Sequence, residues 1–296
     1  MSDSNSNEKL YKGRVILACI DGSSGSEAVC DYASWIANTV DRPLKLIHSI
    51  ENKHDASVTD YSGAIGLGSQ QELLKKLTDV EQNRRALMIE QGQLMINAAK
   101  DRAQKIGVSN IESYQHHGSL SESLIECEDE IRVAIIGIRG KQHEDKDSGI
   151  GHQLESVIRS LHKPILVVNK EFTQPKNAMI AYDGSVSCQK ALAMIVSSEL
   201  FKGMTCHLVH VDSGDKTKGE ELLSKAENVL KNEGFKVFTS QLEGQADQVL
   251  ANYQLENNID LTLMGAFSHN RFRDFLLGSF TAKMLTATNR PLLLLR

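Results

Sequence analysis

The chain has 296 residues, enough for about two ordinary domains, and its 41% hydrophobic content can fill real cores. A formal net charge of −5 argues against a general nucleic-acid binder, which carries a basic surplus. No run approaches the ~18 consecutive apolar residues of a membrane span.

The N-terminus, "MSDSNSNEKLYKG", is polar, lacks an apolar stretch and does not read as a secretory leader. Cys19, Cys30, Cys127, Cys188 and Cys206 form no CxxC pair and read as reduced, mostly buried thiols of a cytoplasmic protein. From Val15, "VILACIDGSSGSEAV" gives a first strand followed by Asp21-Gly22-Ser23, and His48 ends the second strand. Between His48 and Gly118 runs "QQELLKKLTDVEQNRRALMIEQGQLMINAAKDRAQKIG", helical in pattern and free of proline. Thirty-six helical residues would reach roughly 54 Å, too long for one domain's sheet. Gly92 is a candidate bend. The tract is either a longer covering helix or an arm in the 70–106 region that docks a protein client. Gly137, Gly140 and Gly151 follow, then the apolar "KPILVV" and the polar link "NKEFTQPKN", which Pro175 interrupts.

Beyond the link, short β-rich runs alternate with helical periodicity. "NAMIAY", "TCHLVHV", "KVFTSQL", "DLTLMG" and "PLLLLR" read as strands. "SCQKALAMIVSSEL", "GEELLSKAENVLKNEG", "ADQVLANYQLENN" and "SFTAKMLTAT" read as helices. Apolar strands separated by helices imply a parallel sheet covered on both faces, hence a doubly wound α/β fold.

The pattern occurs twice. Asp21 aligns with Asp183 and His48 with His210 at an offset of 162, whereas Gly118 and Gly244 align at 126 and Pro164 and Pro291 at 127. The first copy therefore holds about 36 additional residues between His48 and Gly118. Doubly wound sheets bind ligands beyond the carboxyl ends of their strands. Asp183-Gly184-Ser185 lies there, and so does the loop after "DLTLM". Asp and Ser also suit a plain helix N-cap, but the recurrence of Asp-Gly-Ser beside a glycine loop favours a binding role.

Gly265, two residues, Ser268, nine residues and Gly278-Ser279 together resemble the nucleotide loop of the universal stress protein family, which has glycine where Ser268 stands. Asp183, "LVHV" and the terminal "RPLLLL" are similar to that family as well. The resemblance covers both copies. It implies tandem adenine nucleotide alpha hydrolase-like domains, at residues 1–170 and 171–296, whose final strands pair as an internal pseudo-dimer. It also implies ATP, with or without Mg²⁺, bound by a regulatory or stress-adaptation module, and it places Val211, with Ser49 in the first copy, near the adenine.

The expected site comprises Asp183, Gly184, Val211, Gly265, Ser268, Gly278, Ser279, Phe280 and Thr281. Gly278 and Ser279 open a helix, so free N–H groups and the helix dipole meet an anion there. Ser279 and Thr281 add hydroxyls, and His269, Arg271 and Arg273 add positive potential that Asp274 partly offsets. In the first copy, Asp21, Gly137, Gly140 and Gly151 mark the matching positions, but ten residues precede Gly151 and His152 replaces the hydroxyl residue. Glu144, Asp145 and Asp147 would repel a polyphosphate. One nucleotide per chain is expected.

No Gly-x-Ser-x-Gly elbow, GxxxxGK[ST] loop or HExxH appears, and no dedicated base is visible. An enzymatic reading reduces to slow ATP hydrolysis, with Asp183 placing a Mg²⁺-bound water, or to chemistry on a nucleotide-like ligand. A third class is a structural partner protein with both sites silent. Cys206, His207 and His210 suggest a metal, but strand alternation sends His207 and His210 to opposite faces, so none is expected. Any further homodimer would use surfaces other than the paired final strands, such as the 70–106 helical region.

Overall fold

The computed structural model describes residues 14–51, 67–139, 150–169, 171–212, 214, 216–265 and 279–296. The first half contributes β1 (Val15–Cys19), α1 (Ser26–Val40), β2 (Leu44–Ile50), α2 (Leu67–Lys105), β3 (Ile111–His117), α3 (Leu120–Glu126), β4 (Ile131–Gly137), α4 (His152–Ser160) and β5 (Ile165–Val168). The second contributes β6 (Asn177–Ala181), α5 (Val186–Ser197), β7 (Thr205–Val211), α6 (Lys216–Asn232), β8 (Lys236–Leu242), α7 (Ala246–Glu256), β9 (Leu261–Gly265), α8 (Ser279–Ala287) and β10 (Leu292–Leu295). Every strand and helix expected in the second copy is present.

The strands form one sheet in the order β3-β2-β1-β4-β5-β10-β9-β6-β7-β8. Within each half all pairings are parallel. The halves meet through one antiparallel ladder, where Leu292 faces Val167, Leu293 faces Leu166 and Leu294 faces Ile165. The pseudo-dimer is therefore a continuous ten-stranded sheet, and the two apolar final strands cover each other's edges.

Period-two alternation divides each strand between two cores. Leu293 and Leu295 face a layer with α1 and α5, whereas Leu292 and Leu294 face a layer with α4 and α8. Both cores run unbroken across the central ladder, so burial binds the halves as well as the ladder does. Phe172, in the link, packs edge-on against Tyr32 of α1 at 4.8 Å between ring centroids. A cavity of about 40 Å³ lies at the seam, among Trp35, Leu166, Phe201 and Leu293. That is water-sized, too small for an organic ligand.

Helix α2 runs without interruption for 39 residues through Gly92, the candidate bend. Gly92 serves close approach instead: a Cβ there would lie 2.6 Å from His48 Cδ2 and would also strike Gln115. Gly219 of α6 has the same surroundings, with His210 Cδ2 and Gln241 Nε2 each 2.7 Å from an added Cβ. Gly92 and Gly219 are thus equivalent. Forty-four positions separate His48 from Gly92 but only nine separate His210 from Gly219, so 35 of the 36 extra residues precede Gly92. The final turns of α2 are consequently the ordinary covering helix. Its beginning is the addition, so the tract is in part covering helix and in part an arm.

Candidate functional site

In each half the strand order reverses between the first and fourth strands, which opens a crevice at their carboxyl ends. In the second half these are β6 and β9, paired in parallel with Ile180 opposite Leu263. The crevice therefore has Tyr182-Asp183-Gly184 on one side and Gly265 on the other. Val211 ends β7 on the same rim, half-buried.

Local hydrogen bonds shape the first turn. Asp183 Oδ1 accepts from the Ser185 N–H at 2.9 Å, and Ser185 Oγ accepts from the Cys188 N–H at 3.3 Å, capping α5. Gly184 takes φ +75, a left-handed conformation that suits glycine, and an added Cβ would lie 2.8 Å from Leu222 Cδ2. The Asp-Gly-Ser motif thus does form a helix cap. It also holds the Asp183 carboxylate at the crevice.

Gly265 is needed for space. A Cβ there would come within 3.0 Å of Ser187 Cβ in the first turn of α5, so strand end and helix start approach without a side chain between them. Helix α8 begins at Ser279, with Phe280 half-buried against the sheet and Thr281 1% exposed. Ser268 and Gly278, with His269, Arg271, Arg273 and Asp274, lie outside the described residues.

Two cationic residues near this rim carried no motif in the sequence, the Arg296 guanidinium donating to the Arg159 carbonyl of the first half at 2.6 Å. Arg296 follows β10, whose Leu295 is paired with Gly265, and Lys190 Nζ donates to the Arg296 carbonyl at 2.7 Å. Lys190 stands one turn beyond Ser187 on α5. Only the β9–β10 pairing brings the chain end to this place, so local sequence could not signal it.

The first half repeats the frame with different contents. Asp21 Oδ1 accepts from the Ser23 N–H and from Ser26 Oγ, both at 3.0 Å. Gly22 has φ +73, and an added Cβ would strike Met95 of α2. Gly137 is less constrained than Gly265, its nearest neighbour to an added Cβ being the Arg139 carbonyl at 3.5 Å. The Gly151 N–H, at the head of α4, already donates to the Ile138 carbonyl at 3.2 Å. That amide is occupied where an anion would need it. Gly140 and the acidic residues 144, 145 and 147 lie outside the described residues. Ser49 Oγ is 3.0 Å from Ser123 Oγ.

The four buried thiols are unsuited to nucleophilic chemistry. Burial pushes Cys188 and Cys206 up to about 12 and Cys30 up to about 11, and raises Cys19 further. His207 and His210 point to opposite faces, toward Tyr253 and toward the Tyr182 carbonyl. No cluster of metal-ligating side chains occurs among the described residues. Nor is any helix among them long and apolar enough to cross a membrane.

A twice-repeated sheet with Asp-Gly-Ser turns facing strand-end glycines defines a tandem doubly wound protein with two rim crevices. The chain belongs to the universal stress protein family, whose model matches residues 13–169 and again 175–296. It is 34% identical over 284 residues to the universal stress protein Slr1230 of Synechocystis sp., spanning 95% of this chain and 99% of that one. A universal stress protein from Archaeoglobus fulgidus shares the fold, with a TM-score of 0.68 over 97% of this chain and 98% of its own at 17% identity. A family protein from Arabidopsis thaliana, solved with AMP bound, matches 41% of this chain and 91% of its own at 16% identity and a TM-score of 0.33.

Proposed function

We propose that the chain is an ATP-binding regulatory or stress-adaptation module with one competent nucleotide site, in its second half. The observation that carries this reading is the meeting of Asp183-Gly184 and Gly265 on one rim. Val211 lines the adenine side. Gly265, Ser268, Gly278 and Ser279 receive the phosphates, with Phe280 and Thr281 fixing the first turn of α8. A Mg²⁺ ion accompanying the nucleotide would sit near Asp183. The helical region 70–106 is the surface through which the module meets a protein partner.

The crowded Gly265 supports the reading, because small residues let backbone N–H groups approach anionic oxygen. The first half lacks this support, since the Gly151 amide is already bonded. Calorimetry with ATP should give one site per chain, and Gly278→Glu should abolish it by putting a carboxylate in phosphate space. Unchanged affinity in that variant, or two equivalent sites in the parent chain, would refute the assignment.

A further inference from the structure

The added part of α2 projects from the body. From Lys75 to Gln91 every side chain is exposed except Met88, which is half-buried, and packing begins at Gly92 and continues through Ile96, Ala99 and Ala103. A solitary helical segment of this length is marginal in water, because its polar backbone ladder lacks the tertiary burial that sustains most protein helices. Yet it carries an apolar stripe. Leu77, Val80, Leu87 and Leu94 are 52%, 65%, 66% and 64% exposed. Together with Arg84 and Gln91 they recur at alternating steps of three and four, the seam of a two-stranded coiled coil.

We propose that this arm pairs with the arm of a second copy of the chain, antiparallel, about a two-fold axis near Gln82. The proposal rests on reading the arm as a docking element and is independent of the ATP site. In this register Leu77 packs on the partner's Leu87, and Leu87 on the partner's Leu77. Val80 lies under the aliphatic stem of the partner's Arg84. On the flank, Lys76 meets the partner's Glu90, and the two-fold makes that attraction occur twice. Glu81 approaches its own copy near the axis, but Arg85, at 3.2 Å, and Arg84, at 4.0 Å, already offset its charge within the helix. A parallel pair would instead set Arg84 against Arg84 in the seam. It would also crowd both bodies at one end, because each arm is anchored from Gly92 onward.

Sedimentation of the full-length chain across micromolar concentrations tests this. A dimer is expected, and Leu87→Glu should convert it to a monomer whose body stays folded, since Leu87 is 66% exposed and precedes the packed part of α2. Lys76→Glu and Glu90→Lys should each weaken the dimer about tenfold, whereas the double reversal should restore it. In a parallel pair Lys76 would face Glu81, and the double reversal would not rescue. A chain that is monomeric throughout, a dimer indifferent to Leu87→Glu, or failure of the rescue overturns the proposal. Monomeric behaviour would leave the docking role to other proteins, whereas a chain lacking residues 67–88 that assembled and functioned normally would remove that role as well. ATP calorimetry reads neither outcome.

Discussion

His210 Nδ1 lies 2.8 Å from the Tyr182 carbonyl, and His48 stands in the same relation to Ile20 at 2.7 Å. A carbonyl only accepts, so in both halves Nδ1 carries the proton. The bond ties the end of the second strand to the residue that precedes the aspartate turn. His210→Ala removes the donor beside Asp183. The expected loss is about 1–2 kcal/mol of stability, together with weaker ATP binding because the turn is less firmly held. Denaturant midpoints and calorimetry measure the two effects. An ATP affinity unchanged in the destabilised variant would separate the turn from the site.

Gly184 is constrained in two ways, by its positive φ and by Leu222. Gly184→Ala should cost about 1–2 kcal/mol from backbone strain, with a small further shift of the flexible Leu222 side chain. The added variant Leu222→Ala relieves contact but not strain. Full recovery of the denaturation midpoint in that double variant would show that space alone had required glycine.

A pH effect follows from His207. Ser240 Oγ donates to Tyr253 Oη at 3.1 Å, and His207 Nδ1 shares that hydroxyl at 3.0 Å. Burial, with Lys236 nearby, holds His207 below its usual 6.5. The unfolded chain therefore takes up this proton first as pH falls. The stability contribution is complete above the unfolded value and is lost as pH drops through the depressed folded one. Urea midpoints should fall between about pH 7 and 5, and His207→Asn should flatten that slope. An unaltered slope would assign the acid sensitivity to other groups.

Much of this was legible in the sequence for a physical reason. Strands buried on both faces must be apolar throughout, so "LLLL" and "ILVV" announce a covered parallel sheet and a need for edge partners. The duplicated Asp-Gly-Ser marked the strand ends at which the strand order reverses. Position within the insertion was not legible, because glycine spacing counts residues without saying where they lie. Only the contacts of Gly92 and Gly219 with His48 and His210 locate it. The same limit hid the meeting of Lys190 with the chain end at Arg296, which a strand pairing brings to the rim. It also hid an exchange of contents at equivalent positions, where Tyr114 and Cys127 in the first half match Ser240 and Tyr253 in the second.

The central ladder makes the last prediction. Ile165, Leu166, Val167 and Val168 are each at most 3% exposed, and β10 is one reason. Residues 1–170 expressed alone would keep β1 to β5 but bare the edge that β10 covers. Such an edge, short and wholly aliphatic, has no charge or proline to discourage pairing. The native contact is already antiparallel and relates equivalent strands, so the fragment can pair with a second copy of itself through β5 in a similar register. Tethering makes the native pairing independent of concentration, whereas the fragment has no tether. Its mass by light scattering should therefore rise with concentration beyond any pairing of the arms, which the Leu87→Glu background removes. In that background the full-length chain should remain a monomer while the fragment associates. A monomeric fragment would mean that the ladder adds little to what each half achieves alone.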